Sequence, residues 1–343
     1  MHDNVENSLV KNEYTKSKYI VFLVLVILAS VLPFFTTNTY YIMLFDQILV
    51  NIIVVLGFNF ITGLTGQMNL GTAGTVAIGA YITGLLTVRC NISPWIALLL
   101  AIPAGYLIGK GLGYPSLRLK GFYLALTTIG FTVIVQLMVT NLSDLTGGTQ
   151  GVQRIPGFNL FGISISTNES FYYFLLVCVI IAVLISIKII YSKWGRAFKA
   201  IRDNIDAVEA CGIDVADIKI KAFTLASIYG CIGGALFANL SGYINPGTFG
   251  IDMSFNFLIM LMVGGIGSIG GSILGAIIVT MLPESLRFLQ DYYWLIFSII
   301  VLIFVIFQPN GLVELFNKIY KAVKSKLLKK KGGDDIVDHS KVK

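Results

Sequence analysis

The stretch Met253–Pro283, MSFNFLIMLMVGGIGSIGGSILGAIIVTMLP, carries no charged residue, and its reading decides the fold. At 1.5 Å of rise per residue, thirty-odd helical residues are too long for one upright crossing of a ~30 Å hydrocarbon layer and too short for two full ones. The middle of the stretch, Gly264-Gly265-Ile266-Gly267-Ser268-Ile269-Gly270-Gly271, breaks a helix, because each interior glycine costs about 1 kcal/mol relative to alanine. Two short helices meeting at the glycines are therefore expected. The alternative, a single crossing, would put the nine lysines beyond Asn317 on the wrong side of the membrane for the positive-inside rule.

Comparable uncharged blocks run outward from this one: Tyr19–Thr36, Gln47–Val88, Asn91–Ile108, Gly121–Leu142, Phe171–Ile187, Ala222–Ile251 and Tyr292–Val313. Gln47–Val88 is long enough for two crossings. Charged residues make up 13% of the chain and hydrophobic ones 56%, in blocks that leave no charged face for a soluble core. The expected fold is all-α and polytopic, with about ten transmembrane helices (eight to ten), some short or broken. Residues 19–313 form the membrane domain, between a polar tail over 1–18 and a basic tail over 314–343. Tyr19–Thr36 reads as a retained span. Loop bases (Lys110, Arg118, Lys120, then Lys188–Lys221) put both tails inside, the 192–221 segment inside and the 141–170 loop outside.

The net charge of +7 does not point to nucleic acid, since the bases lie in the tail and in loops between apolar blocks. Cys90, Cys178, Cys211 and Cys231 show no metal-ligand spacing, and His2 and His339 lie in polar tails. Neither a metal site nor a nucleophile–base pair for an intramembrane enzyme is expected. Gly265, Gly267 and Gly270 match G-x-G-x-x-G with Glu284 downstream, yet no strand–turn–helix surrounds them, so no dinucleotide is expected. Gly267, Gly271 and Gly275, like Gly105, Gly109 and Gly113, instead form ladders at four-residue spacing that let helices approach closely in lipid. Asp46 is the one acid within a span, which equips a proton-driven carrier poorly. No GxxxxGK[ST] occurs, so the chain has no P-loop of its own.

Two segments carry functional expectations. Trp194, Phe198, Ile201, Ile205 and Val208 recur at helical spacing, with Arg196, Lys199, Arg202, Asp203, Asp206 and Glu209 on the other faces. Gly212 stops this helix, and Asp214 caps a further short helix leading into the next span. Mixed charge favours docking of a cytoplasmic partner over a helix lying on the lipid interface. Gly63–Gly74, GLTGQMNLGTAG, is polar and glycine-rich between uncharged spans. It is either a tight turn with close packing, or irregular backbone lining a pathway, with Gly66, Gln67, Asn69, Gly71 and Gly74 as a gate.

The stretches GLTGQMNLGTAGTVAIGAY (63–81), LRLKGFYLALTTIGF (117–131), LTGGTQGV (145–152), GRAFKAIRDNIDAVEACGI (195–213), KAFTLASIYGCIGGALFA (221–238) and GGIGSIGGSILGA (264–276) occur in that order. Together, over about Val50 to Gly311, they resemble the permease subunits of branched-chain amino acid ABC importers. The resemblance implies pairing with a second homologous permease, two cytoplasmic ATP-binding subunits that use the ATP and Mg, and an extracytoplasmic solute-binding protein. The chain itself would bind no cofactor and would reside in a bacterial plasma membrane. The segment from Trp194 through Phe198, Ile201, Arg202, Asp203, Ile205 and Glu209 to Gly212 would be the ATPase-coupling element. Glu209-Ala210-Cys211-Gly212 is similar to a degenerate EAA…G motif. Thr127 and Thr128 would join the pathway or gate. The family's usual Ser-Leu-Gly-His-Ala is absent, with Asn69 and Thr72-Ala73-Gly74 in its place. Similar permeases serve urea, short amides and nucleosides, and a stand-alone carrier for a neutral solute is the rival from another class.

Overall fold

The computed structural model describes residues 29–30, 33, 38–119, 121–160, 163–164, 168–308 and 311–314. The expected all-α, multi-spanning architecture is present. Six helical segments are long and apolar enough to cross a bilayer, and three shorter apolar helices accompany them among the described residues. Most of the Tyr19–Thr36 block and both polar tails lie outside the described residues, so a tenth span is not described.

The helices are α1 (Thr39–Phe58), α2 (Thr72–Val88), α3 (Pro94–Ser116), α4 (Phe122–Asn141), α5 (Asn168–Tyr191), α6 (Lys193–Asp203), α7 (Ile205–Ala210), α8 (Val215–Ser241), α9 (Ile251–Gly264), α10 (Ile269–Ser285) and α11 (Tyr293–Phe307). α6 and α7 sit at one end of the bundle. At the opposite end, strand β1 (Val152–Gln153) of the segment 142–160 pairs antiparallel with Tyr243–Ile244 after α8.

α8 is the hub, packed on α1, α2 and α3. Glycines make this possible. Gly105, Gly109 and Gly113 of α3 face Ile228, Thr224 and Ile220 of α8 in antiparallel order. A Cβ at Gly109 would lie 2.5 Å from the Thr224 Cα, and one at Gly105 would lie 2.7 Å from the Ile228 Cα. This ladder is the one expected from its four-residue spacing. Gly79 of α2 meets Cys231, and Gly234 of α8 meets Val76 in the same way.

The Met253–Pro283 stretch divides as its glycines require. α9 ends at Gly264, Gly265 and Gly267 take φ of +125° and +84°, and the Ser268 side chain caps α10 by accepting from the Gly271 amide. α9 has 14 residues, so it rises only about 21 Å. The seam between α9 and α10 runs through Gly264, Gly271 and Gly275, where a Cβ at Gly271 would lie 2.9 Å from the Gly264 oxygen. The expected ladder is thus shifted. Gly267 lies in the turn, outside the seam, because its left-handed backbone reverses the chain there, and Gly270 has only Val313 within reach. The chain after α11 returns to the α6–α7 end, where Gly311 lies against Gly265.

These close approaches set a clear expectation. Gly109→Leu should lower the thermal unfolding midpoint of the detergent-solubilised protein by several degrees, since overpacking costs about 1–3 kcal/mol. Gly111→Leu, on the same helix with open space at its Cβ, should leave the midpoint unchanged. Equal midpoints for the two would contradict the packing.

Candidate functional site

Chain geometry at the α6–α7 end begins with Ser192, whose hydroxyl accepts from the Trp194 amide (3.1 Å) and starts α6. The apolar face of α6 points into the bundle: Phe198 is fully buried, with Ala197 and Ile201 beside it. Arg196, Lys199, Arg202 and Asp203 are exposed, and Trp194 is partly so. The single helix expected from Trp194 to Gly212 is in fact two. Asn204 takes extended angles (φ −159°, ψ 109°), and its side chain accepts from the Ala207 amide at 3.1 Å, starting α7. An asparagine that satisfies a new helix start outweighs the continuing apolar period.

α7 buries Val208 and leaves Glu209 exposed, with Ile205 between the two. Gly212 stops α7 as expected. Its φ is +74°, the Ile213 amide reaches back to the Val208 oxygen (3.3 Å), and its own Cβ position faces open space. Asp214 caps the long span α8 directly, accepting from Ala216 (2.9 Å) and Asp217 (3.2 Å), so no further short helix intervenes. The expected docking residues therefore divide: Phe198 and Ile201 anchor the element, whereas Trp194, Arg202, Asp203, Glu209 and Gly212 form its outer face.

Arg202 reaches back into the bundle floor. Its Nη1 donates to the Gly63 carbonyl at 2.7 Å, and its stem covers Gly66. Gly63 belongs to a π-turn, Asn59–Leu64, that ends the first described span. Wide turns of this kind leave carbonyls without the usual helical partner and recur at functional sites. In the same place the buried Asn59 side chain accepts from the Gly267 amide (2.9 Å). Three sequence segments far apart in the chain, the 59–66 turn, the 264–271 break and α6, thus meet at one point.

From Gly66 to Gly71 the chain is neither helix nor strand, with Gly66 in the left-handed region (φ +69°) and Gly71 at φ −94°, ψ 6°, before α2 starts at Thr72. This irregular run leads into α2, whose 17 residues rise about 26 Å. Three backbone amides of the run and of the start of α2 are met by side chains, two of them from neighbouring helices. The Leu70 amide donates to Thr128 Oγ1 (2.9 Å), the Gly71 amide to Asn69 Oδ1 (2.8 Å) and the Ala73 amide to Ser254 Oγ (3.0 Å). Gly71 sits against the Thr128 backbone oxygen, and Gly74 against the Phe131 ring. Asn69, Gly71, Gly74 and Thr128 are buried together, whereas Gly66 is exposed and Thr127 bonds only within its own helix. Gln67 donates to Thr65 Oγ1 at 3.0 Å.

A cavity of about 460 Å³ lies between α1, α9 and α10, nearer the opposite end, with Phe297 of α11 also lining it. Gln47, Asn51, Asn256 and Thr280 line it, and none of them was expected from sequence. The signal was present, since Tyr40, Leu44, Gln47 and Asn51 fall at spacings of four, three and four, one face of a helix. Attention to charged residues in spans passes over such neutral polar stripes. Asp46, the one acid expected within a span, is buried elsewhere on α1, outside this lining.

Residues 40–306 match the family described as branched-chain amino acid transport system / permease component. The chain is 32% identical over 294 residues to the high-affinity branched-chain amino acid transport system permease protein LivM of Escherichia coli (strain K12), covering 78% of this chain and 68% of that protein. It is 26% identical over 292 residues to the probable branched-chain amino acid transport permease protein LivM of Methanocaldococcus jannaschii, covering 81% and 82%. It is 28% identical over 232 residues to the autoinducer 2 import system permease protein LsrC of Yersinia enterocolitica, covering 64% and 62%. No solved structure matches. With its many spans, its broken crossings and a family match over most of its length, this chain belongs to the permease components of branched-chain amino acid ABC transport systems, as a transport subunit rather than an enzyme.

Proposed function

We propose that the chain is one of two permeases in an importer that moves leucine, isoleucine and valine into a bacterial cell. A binding protein outside the inner membrane delivers the amino acid, and two cytoplasmic ATPases supply the work. The names of the LivM relatives support the substrate. The similarity to an autoinducer 2 permease keeps other small polar solutes as the second reading. In this reading both termini and the α6–α7 end are cytoplasmic, and the 142–167 loop faces the binding protein.

One observation carries the mechanism: Arg202 stands on the outer element and holds the Gly63 carbonyl of the floor turn. The buried Phe198 and Ile201 fix α6 to the permease body, so a push on Trp194 or Asp203 moves α6 as a unit, and a push on Glu209 reaches it through α7. Arg202 passes that motion to the 59–66 turn, and the Asn59–Gly267 bond passes it on to the α9–α10 hairpin. Closure of the ATPase dimer then shifts the floor, and the irregular 66–71 run with Asn69 and Thr128 serves as the gate. A ligand or partner shifts such an equilibrium only through its differential affinity for the two states.

Two measurements test this reading. Arg202→Gln removes a charge-assisted hydrogen bond worth about 1.5 kcal/mol in so exposed a setting. Amides of the 59–67 turn and of Gly267 should therefore exchange with deuterium roughly ten-fold faster, without change in the α3–α8 core. Unaltered exchange at the turn would remove the latch. Gly212→Val forces a β-branched residue into the left-handed region, at a cost of roughly 1–2 kcal/mol. It should cut ATP-driven leucine uptake about ten-fold and abolish stimulation of ATP hydrolysis by the loaded binding protein, with membrane insertion intact. Wild-type uptake and stimulation would contradict the docking assignment.

A further inference from the structure

At the rim of the α1–α9–α10 cavity stand three polar groups that the floor mechanism does not use. The Tyr40 hydroxyl donates to Glu284 Oε2, and Arg287 Nη1 lies 3.5 Å from Glu284 Oε1 and donates to the Tyr40 hydroxyl at 3.2 Å. Arg287 is largely exposed and Glu284 about a quarter so. An exposed ion pair of that length contributes little to stability, so both charges can exchange partners at low cost. Below them the wall is neutral and polar. Asn51 donates to Thr280 Oγ1 at 3.0 Å, with Gln47 and Asn256 nearby. Apolar side chains, Phe257, Met260 and Val279 among them, complete the wall. Polar side chains on spans that face a cavity mark a solute pathway in membrane proteins.

We infer that this cavity is a transit subsite for a zwitterionic α-amino acid with an apolar side chain, with Glu284 taking the ammonium and Arg287 the carboxylate. The inference rests on the importer reading above and names the place where that substrate pauses. Opposite charges side by side at the rim match the two poles of one α-carbon, and a guanidinium binds a carboxylate through two parallel hydrogen bonds. The aliphatic side chain then points past Thr280 toward Phe257 and Met260, so charge and apolar surface are recognised at opposite ends of one cavity. A phospholipid could also place a zwitterionic headgroup on the rim. Its acyl chain would then lie against Gln47, Asn51, Asn256 and Thr280 and strip them of water, which is unfavourable.

The test uses the assembled importer in liposomes, arrested with vanadate, with a diazirine analogue of leucine as the photoprobe. Label should fall on peptides covering Met253–Met260 or Val279–Arg287, and L-leucine should compete it away. Glu284→Gln should weaken competition by L-leucine at least ten-fold while leaving competition by 4-methylpentanoate, which has no ammonium, as it was. Arg287→Gln should weaken L-leucine in the same way and leave leucinamide, which has no carboxylate, unaffected. This pairing of variant and lost group separates recognition from a structural role. Thr280→Val, which leaves the rim charges in place, should lower labelling without altering the order of competitors. Label that leucine does not displace means a lipid occupant and overturns the subsite. Leucine import by the wild type with label confined to other peptides overturns the subsite alone. Absence of leucine import by the wild type overturns the substrate reading and the subsite with it.

Discussion

Backbone that leaves helical geometry inside an apolar bundle must find its hydrogen-bond partners within the protein, and this chain does so at two adjoining places. The 66–71 run lies along α4 and α9, and the Thr128 and Ser254 hydroxyls take up the Leu70 and Ala73 amides. The Gly265–Ser268 turn gives its Gly267 amide to Asn59, and the Gly63 carbonyl of the π-turn is met by Arg202. Without these side chains the interruptions would leave bare polar groups in an apolar setting, each costing on the order of several kcal/mol. With them, two interrupted segments are held within the bundle, and both breaks lie against α6.

Close packing of α8 holds that arrangement together. The α3 ladder of Gly105, Gly109 and Gly113 brings two backbones into contact over about two turns, and Gly79 and Gly234 do the same between α2 and α8. At the floor, hydrogen bonds from Arg202 and from the Gly267 amide join the two turns, and there α6 is attached through the buried Phe198 and Ile201.

Much of this was legible in the sequence because the signals were local. Glycines in an apolar stretch of awkward length required a break, and Gly212 stopped a helix where the apolar period ended. The α3 ladder followed from spacing alone. Other features depended on partners distant in the chain. Nothing near Gln67 indicates that the following residues leave helical geometry inside the bundle, because Thr128 and Ser254 permit it from α4 and α9. Asn204 carried a helix-start signal, yet the Trp194-to-Val208 period runs straight through it, and only the extended Asn204 backbone with its cap on the Ala207 amide shows two helices. The 267–271–275 spacing misled for a related reason: a glycine needed for a reversal does not serve the seam. The cavity polar groups were missed because asparagine, glutamine and threonine carry no charge to stand out in an apolar span.

The proposed coupling, in which the drive enters through the outer face of α6 and α7, is open to direct test. A photoreactive residue placed at position 209, where Glu209 is exposed, samples whatever lies against that face in the native membrane. The account predicts one dominant adduct with the ATP-binding subunit, whose yield changes when non-hydrolysable ATP closes the ATPase dimer. Adducts with lipid alone, in membranes where the ATP-binding subunit is present and the permease is folded, would contradict it.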